Sequence, residues 1–403
     1  MSAKTIQPKF NLETELIIAC SQTKLNSSQI NHIANLLNQQ PDWNYIYKII
    51  KRNAVFPLVS WNLLQNFNHL LPAETQELLN EEFSRHTQKN MLLTGRLIEI
   101  AKLFNSKDIP TLPFKGPLLA IQAYGNLSLR QFGDLDVLIP IERVNAAIEL
   151  LVAEGYEPIN LQRLSNMEQK KDVGFVSKDK NVNLELHWKL SGGHFSLPLE
   201  MNRLWKQLET VNLAGIDVGA FPFNTLLIYL CLHGARHCWE RFGWICDINE
   251  LIRSQDEIDW EQLAEEAKRL GCENALGLGL FLVYEFFGSA TPLLKSKKIK
   301  NNQAFRKIEA QLRVGLFANE WTPLQVGDRY LYHLESKERL SDKWKVHWYY
   351  SVWYFKIIFS PNEVDRNLFH LPGWLSSLHY VLRPPRLLYS YLIKPKKTRR
   401  EKN

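Results

Sequence analysis

Cysteine is scarce in this chain of 403 residues, and the five cysteines are not arranged in pairs. No CxxC motif occurs, and zinc ribbons are built from such pairs. An odd number of scattered thiols in a long chain is also not a disulfide framework. We expect Cys238 and Cys246, which flank a Trp-rich stretch, to be buried thiols, and we expect a reducing compartment, which predicts a cytoplasmic protein. The five are Cys20, Cys231, Cys238, Cys246 and Cys272.

Long apolar runs are missing as well. A membrane-spanning helix needs about 20 consecutive apolar residues. Of the two nearest candidates, 275–287 contains Glu285 and 344–359 contains two lysines. The apolar run near the N-terminus, 16–20, is too short for the core of a signal peptide. The sequence therefore predicts a soluble protein without membrane insertion.

Excess positive charge is almost absent outside the C-terminus. The net charge is +7, and residues 394–403 contribute +5 of it, from six Lys or Arg and one Glu. The basic pI therefore says little about the folded body. Such a tail is expected to be disordered, and it either stays solvated or contacts RNA or an acidic partner.

The spacing of apolar residues divides the chain into four predicted parts. A helical N-terminal domain covers 1–108, an α/β domain 109–222, a helical C-terminal domain 223–393 and a basic disordered tail 394–403. The predicted class is α+β, with a mixed sheet and flanking helices. The Arg-Pro-Pro run at 383–385 is expected to interrupt a helix, because proline lacks the N–H that a helix interior needs.

The central part alternates between strands and helices. We predict strands at 111–114, 134–139 and 181–188, and helices at 118–124 and 143–154. The strand over 134–139 begins with the run Asp-Leu-Asp-Val-Leu-Ile, and this run contains the first candidate for chemistry.

Two carboxylates are spaced for a metal site. In a strand, residues i and i+2 point to the same side, so Asp134 and Asp136 are expected to project together. Adjacent carboxylates repel each other, and a cation between them removes that cost. Mg²⁺ suits this role because it binds through one or two carboxylates together with substrate phosphates. Mn²⁺ is the alternative ion.

A third acid follows in the next strongly apolar strand. Glu185 and His187 alternate with Leu184, Leu186 and Trp188, which places both on one face. If this strand lies beside the first, Glu185 completes a cluster of three carboxylates. Such a cluster can hold two metal ions that flank a phosphoryl displacement. His187 is either a ligand or a histidine packed within the strand.

Candidates for phosphate binding precede the two aspartates. Lys115 and Gly116 stand where a strand turns into a helix, and a glycine there lets backbone N–H groups approach an anion. Arg130 can neutralise a phosphate with two hydrogen bonds, or it can simply pair with a nearby aspartate. The candidate nucleotide-binding residues are Lys115, Gly116, Arg130 and Gly133.

A second motif contains two histidines at helical spacing. His233 and His237 are separated by one helical turn, which can bind zinc. No glutamate follows the first histidine as in HExxH, and no third ligand is near. The favoured interpretation is that this helix packs against the α/β domain and brings Arg236 or Asp247 near the active cleft.

The run KGPLLAIQAYGNLSLRQFGDLDVLIP (115–140), followed by Gly155-Tyr156 and LELHW (184–188), resembles the polymerase-β-like nucleotidyltransferase superfamily. It resembles more closely a bacterial family usually described as uncharacterised nucleotidyltransferase. The resemblance extends to LHGARHCWERFGWICDINELI (232–252) and to the Arg383-Pro384 region.

The resemblance implies a polymerase-β-like core and assigns roles to this chain's residues. Gly116 corresponds to the phosphate-binding turn, Asp134 and Asp136 to the metal-binding pair, and Glu185 to the third acid. One departure is Pro117 after Gly116, where the superfamily usually has glycine or serine. Another is the longer spacing from Gly116 to Asp134. The helical segment around 232–252 looks like a lid or an acceptor-binding domain.

Three functions are compatible with these residues. The first is a metal-dependent nucleotidyltransferase that moves a nucleoside monophosphate from an NTP to a hydroxyl or phosphate acceptor and releases pyrophosphate. The acceptor is a small molecule, a peptide, a protein side chain or an RNA end. The second is a toxin-like enzyme that acts on tRNA. The third is a non-catalytic scaffold that retains the fold.

Overall fold

The computed structural model describes residues 10–159, 170–190, 199–295, 299, 302–320, 322, 324–337, 339–369 and 371–392. The chain divides into two compact units, Met1–Glu338 and Arg339–Asn403. The predicted basic tail, 394–403, lies outside the described residues. The predicted division into four parts stays a prediction.

Five helices precede the sheet. Three of them begin at side-chain caps. Asn11 accepts a hydrogen bond from the Thr14 N–H, Asn26 and Gln29 form a reciprocal capping box, and Asp42 accepts from the Tyr45 N–H. No strand occurs before residue 112 in the described part of the chain, so the predicted helical character of this region is confirmed. The helices are α1 (Leu12–Ala19), α2 (Ser27–Leu37), α3 (Trp43–Arg52), α4 (Phe56–Asn66) and α5 (Ala73–Asn105).

A five-stranded mixed sheet follows, with the order β1-β2-β5-β4-β3. Strands β2 and β5 are parallel, and the other neighbouring pairs are antiparallel. The three predicted strands are confirmed, each somewhat shorter than expected. The elements are β1 (Leu112–Pro113), α6 (Gly116–Tyr124), β2 (Leu135–Leu138), α7 (Val144–Ala153), β3 (Tyr156–Pro158), β4 (Asp172–Ser177) and β5 (Asn183–His187).

A short helix and a hairpin lead out of the sheet, and six longer helices follow among the described residues of this unit. Strands β6 and β7 pair with each other in a separate two-stranded sheet. The elements are α8 (Met201–Lys206), β6 (Glu209–Leu213), β7 (Ile216–Ala220), α9 (Phe223–Arg236), α10 (Phe242–Arg253), α11 (Trp260–Leu270), α12 (Glu273–Phe287), α13 (Gln303–Gly315) and α14 (Val326–Glu335). The predicted α+β class is confirmed.

Helices from both ends of the N-terminal unit share one hydrophobic core. Buried residues of α1 and α3, such as Leu16 and Ile49, belong to the same cluster as Leu227 of α9 and Ile248 of α10. The sheet has its own cluster, which includes buried residues of α5 such as Phe104. The long helix α5 therefore supports the sheet, whereas the helices before it pack with those that follow the sheet.

The C-terminal unit contains α15 (Leu340–Phe359), α16 (Glu363–Phe369) and α17 (Leu378–Leu392). The expected interruption at 383–385 is wrong, because Pro384 and Pro385 lie inside α17. Arg383 supports the helix there, since its guanidinium donates to the Ile357 carbonyl at 2.8 Å and pairs with Asp365. Short 3₁₀ turns cover Asn68–Leu70, Ile141–Arg143, Pro292–Lys295 and Gly373–Leu375.

A search of the described helices finds none with both the length and the apolar character that crossing a membrane requires. All five cysteines are buried, and the predicted burial of Cys238 and Cys246 is confirmed. Burial raises the pKa of the Cys238 thiol to about 12, so this thiol is protonated at neutral pH.

Candidate active site

A cleft of about 780 Å³ lies between the sheet and the helices α9 and α10. Ligand sites favour concave places of this kind, where elements from two layers meet. All seven site residues predicted from the sequence line this cleft. They are Lys115, Gly116, Arg130, Gly133, Asp134, Asp136 and Glu185.

The parallel pairing of β2 with β5 creates an acidic cluster. Asp136 lies opposite Glu185 in the register, and both strands present these side chains to the cleft. One ligand atom each from Asp136, Glu185 and His187 lies within 4.8 Å of the others. The expectation that the two strands are neighbours is confirmed. The group lies in the cleft, where a divalent cation would meet a substrate.

Asp136 is buried and already has two positively polarised partners. The Lys115 ammonium donates to Asp136 Oδ1 at 2.9 Å, and His187 Nε2 lies 3.1 Å from the same oxygen. Burial alone would raise the pKa of Asp136, but Lys115 and His187 outweigh it and hold this pKa well below its ordinary value. Asp136 is therefore ionised at neutral pH.

His187 positions the two carboxylates. Its Nε2 lies 3.2 Å from Glu185 Oε2 as well as 3.1 Å from Asp136. The hydrogen bond to His187 lowers the pKa of Glu185. Phe114 packs edge-on against the imidazole, with the ring centroids 5.0 Å apart. These contacts make His187 a support for the carboxylates, a role that outer-shell groups commonly have in metal sites.

Asp134 occupies a different position from Asp136. It lies in a bend one residue before β2 and is exposed in the cleft, outside the group formed by Asp136, Glu185 and His187. Enclosure by the cleft and repulsion from Asp136 raise the pKa of Asp134. Strand alternation holds only within a strand, and β2 begins at Leu135. A metal-binding role for Asp134 stays a prediction.

Gly116 opens helix α6 in a conformation that suits glycine. Its φ is +47°, in the left-handed region, and Pro117 follows as the second helical residue. Lys115 precedes the helix and directs its ammonium to Asp136. Burial would lower the pKa of Lys115, but Asp136 holds it above its ordinary value. Lys115 is thus charged and partnered within the protein.

Arg130 pairs with an aspartate that is distant in the sequence. Its Nε donates to Asp247 Oδ1 at 2.8 Å, and its Nη2 donates to Asp247 Oδ2 at 3.0 Å. The Tyr124 hydroxyl donates to the same Oδ1 at 2.8 Å. Burial would lower the pKa of Arg130, but Asp247 raises it. Of the two interpretations of Arg130, the structure shows the pairing with a nearby aspartate.

The two histidines of the second motif pack against each other and against Trp244. Their ring centroids are 4.7 Å apart, and Trp244 lies 5.2 Å from His233 and 5.4 Å from His237. Within the described chain, neither histidine belongs to a group of three potential metal ligands. Burial lowers the pKa of His237 to about 4, so this ring is neutral at pH 7. The expectation that Arg236 and Asp247 lie near the cleft is confirmed.

Sequence reasoning missed several residues of the cleft, above all Asp172. This residue begins β4, pairs with His187 in the register and has its Oδ2 3.9 Å from His187 Nδ1. The signal was present in the sequence, because Val173 and Phe175 alternate as in a strand that begins with an acid. Tyr229 of α9 also lines the cleft, and no pattern in the sequence indicated it as a site residue.

The donor set fits a divalent cation. Asp136 and Glu185 supply carboxylate oxygens, the ligands that suit Mg²⁺ and Mn²⁺. Imidazole is less typical of these ions, which agrees with His187 orienting the carboxylates through its hydrogen bonds. Lys115 balances part of the negative charge at the same place.

The mixed sheet, the glycine turn before α6 and the acids on adjacent strands define a protein with a nucleotidyltransferase-like α+β fold. Residues 39–288 match the model of a family described as uncharacterised nucleotidyltransferase. The match covers more than half of the chain, and the chain belongs to this family. It includes the whole sheet, α9 and α10, and it supports a general role in nucleotidyl transfer. A search of curated proteins found no match.

Proposed function

We propose that the protein is a metal-dependent nucleotidyltransferase that moves a nucleoside monophosphate from an NTP to a hydroxyl or phosphate acceptor. A new phosphorus–oxygen bond forms to the acceptor, the bond to the β-phosphate breaks, and pyrophosphate leaves. The observation that carries this proposal is the register of β2 and β5, which places Asp136 beside Glu185 in the cleft.

In this proposal Asp136 and Glu185 hold Mg²⁺ or Mn²⁺, with Asp134 as a further ligand from the cleft surface. Such an ion would neutralise phosphate charge and favour ionisation of the attacking hydroxyl. His187 keeps the two carboxylates in place through its Nε2. Lys115, Gly116, Arg130 and Gly133 border the nucleotide, and the partners of Lys115 and Arg130 keep both charges fixed in position.

The decisive experiment uses α-³²P-labelled ATP, GTP, CTP and UTP with Mg²⁺ or Mn²⁺ and a cell extract as the source of acceptors. The wild type is compared with Asp136→Asn and with Asp217→Asn, an exposed aspartate of β7. We expect label transfer by the wild type and by Asp217→Asn, and a loss of about 100-fold or more in Asp136→Asn. The absence of metal-dependent transfer and of NTP binding in the wild type would refute the proposal.

A non-catalytic scaffold is the second candidate, and one contact favours it. Lys115 and His187 already engage Asp136, so the cluster is charge-balanced in part without a metal. Calorimetric titration with Mn²⁺ separates the two functions. A metal-binding site supports the enzyme, whereas no binding to the wild type supports the scaffold.

An RNA acceptor is favoured by the distribution of charge. Residues 339–403 contain thirteen Lys or Arg and four Asp or Glu, a net charge of +9, which leaves −2 for the rest of the chain. Nucleic acids bind to positively charged protein segments, and the excess positive charge of the chain belongs to this one unit. Removal of residues 394–403 would abolish label transfer to RNA, whereas transfer to a small acceptor would be unaffected.

A further inference from the structure

Apart from Arg52, whose guanidinium donates to the Leu316 carbonyl at 2.6 Å, the Lys and Arg side chains of the cleft fall into two groups. Three of them have carboxylate partners: Lys115 contacts Asp136 at 2.9 Å, Arg130 makes two hydrogen bonds with Asp247, and Lys171 pairs with Asp172. The basic member of each pair belongs to the segment that contains the sheet. The charges of these three residues are therefore already balanced by the protein.

Arg236 and Arg241 form the second group. Both line the cleft from its helical side. Across the described ranges of the chain, neither guanidinium has a carboxylate within salt-bridge distance or a hydrogen-bond acceptor. The Arg241 guanidinium lies 5.8 Å from the ring centre of Trp244, which leaves its N–H groups available. The helical wall of the cleft, formed by α9, α10 and the turn between them, thus carries two guanidinium groups without a carboxylate partner among the described residues.

A strained turn fixes the direction of both arginines. Arg236 ends α9, Arg241 precedes α10, and Cys238 and Trp239 between them both have a φ of +52°. Two consecutive non-glycine residues in the left-handed region are costly and persist only where the surroundings enforce them. Here the buried Trp239 ring packs onto Gly234, where an added Cβ would lie 2.4 Å from the ring.

The backbone at the start of α10 is not available to an anion. Asn53 accepts hydrogen bonds from the Phe242 N–H at 3.1 Å through Oδ1 and from the Gly243 N–H at 2.9 Å through its carbonyl. Helix N-termini often bind anions through such N–H groups, but these two are occupied. An anion on this wall would therefore be held by the arginine side chains.

A continuous row of rings connects this wall with the acidic cluster. Phe114, which packs on His187, lies 5.6 Å from Tyr229 of α9. Tyr229 lies 6.1 Å from His233, and His233 lies 5.2 Å from Trp244. The arginines therefore belong to the same cleft as the candidate metal ligands and face them from the opposite layer.

We propose that Arg236 and Arg241 bind the polyphosphate chain of the nucleotide. The proposal rests on the proposed function, since it names the residues that neutralise the substrate of that reaction. A triphosphate brings several negative charges into a cleft whose other Lys and Arg side chains are paired with carboxylates or, for Arg52, with a backbone carbonyl. Two guanidinium groups supply planar, charged donors that match phosphate oxygens.

The test measures binding of tripolyphosphate and of a non-hydrolysable ATP analogue by calorimetry in the presence of Mg²⁺. We expect Arg236→Ala and Arg241→Ala each to weaken binding about tenfold, and the double variant about 100-fold, as for hydrogen bonds to charged groups. Arg236→Lys keeps the charge but loses the planar fork, so we expect an intermediate loss. The control, Arg143→Ala, removes an exposed arginine outside the cleft and is expected to bind normally.

Arg236 stands at a helix C-terminus, where a cation also stabilises the helix. Thermal unfolding therefore accompanies each titration, and Arg241→Ala tests the proposal at an exposed position. Unchanged tripolyphosphate affinity in a folded double variant would overturn this inference while wild-type label transfer upheld the proposed function. An increase in KM for the acceptor alone would also overturn it, since the arginines would then serve the other substrate.

Discussion

The two walls of the cleft differ in how their charges are balanced. On the sheet wall, Lys115, Asp136, Glu185 and His187 contact one another at 2.9–3.2 Å. On the helical wall, His233 and His237 pack against Trp244, and burial lowers the pKa of both. On the sheet wall the charged groups are paired with one another, whereas on the helical wall the guanidinium groups of Arg236 and Arg241 are available to a ligand. A cleft of this kind can bind a metal on one side and an anion on the other.

Asp247 joins the two walls. It belongs to α10, yet it accepts hydrogen bonds from Arg130 and from Tyr124 of α6, both in the segment that contains the sheet. Arg130 and Asp247 are both nearly buried, so this pair fixes α10 relative to α6. The relative position of the two walls therefore depends on this contact.

The largest expected effect comes from breaking that contact. Asp247→Ala leaves the buried Arg130 guanidinium without its carboxylate, which we expect to lower the free energy of unfolding by about 3–5 kcal/mol. Urea denaturation measures the loss. Asp217→Ala is the control, because Asp217 is exposed and accepts only from Asn212 among the hydrogen bonds described. A loss below about 1 kcal/mol would contradict the proposed joining role.

The double variant Arg130→Met/Asp247→Leu sharpens this result. Replacing a buried ion pair by apolar side chains of similar volume is often neutral. We expect it to recover most of the stability lost in Asp247→Ala. A loss as large as that of the single variant would indicate that packing, rather than an unpaired charge, causes the effect.

The next prediction separates the histidines of the two walls. His187→Gln removes the support of Asp136 and Glu185, so we expect Mn²⁺ affinity to fall by about 10–100-fold. His237→Gln alters a ring of the helical wall and is expected to leave Mn²⁺ affinity unchanged. Calorimetric titration compares both with the wild type. Equal affinity of His187→Gln and the wild type would show that His187 is only a packed strand histidine.

The strained turn of the helical wall provides the third prediction. In Gly234→Ala the new Cβ would lie 2.4 Å from the Trp239 ring, and we expect a loss of about 1–3 kcal/mol from overpacking. The control is Gly327→Ala in α14, where no atom lies within 4 Å of an added Cβ. Thermal unfolding is the measurement. A Gly234→Ala protein as stable as the control would mean that the turn adjusts freely.

The smallest expected effect is a pH dependence of folding stability that arises from His237 on the helical wall. Burial lowers the pKa of His237 to about 4 in the folded protein, whereas the unfolded chain has an ordinary histidine pKa of about 6.5. As the pH falls below about 6.5, the unfolded chain takes up a proton that the folded protein takes up only near pH 4. The contribution of His237 to stability is therefore complete at neutral pH and is lost progressively on acidification.

Between pH 7 and pH 6 this loss is at most about 0.7 kcal/mol. We expect His237→Gln to reduce the acid sensitivity of the urea midpoint relative to the wild type. An identical pH dependence of the two proteins would show that His237 is solvated in the folded state.

Local sequence patterns predicted the sheet wall well. Alternation around Asp136 and Glu185 identified both strands, and both residues line the cleft. Alternation also placed Asp134 beside Asp136, but β2 begins one residue after Asp134. Helix caps such as Asp42 are local in the same sense, because a cap involves only neighbours in the chain.

The partners of the charged residues could not be predicted in the same way. Arg130 is paired with an aspartate 117 residues away, and Tyr124 contacts the same carboxylate over 123 residues. No periodicity encodes such a contact, since it depends on how α10 packs against α6. The core that α1 and α9 share could not be predicted from the sequence for the same reason.

The amino-acid sequence determined which residue types face the cleft, because strand and helix periodicity are local properties of the chain. It placed the acids on two strands and the histidines and Arg236 on one helix. Only the tertiary structure decided which charged groups form ion pairs with one another and which remain available to a ligand. Ion pairing depends on distances between atoms, and those distances are set by the packing of elements that are far apart in the sequence.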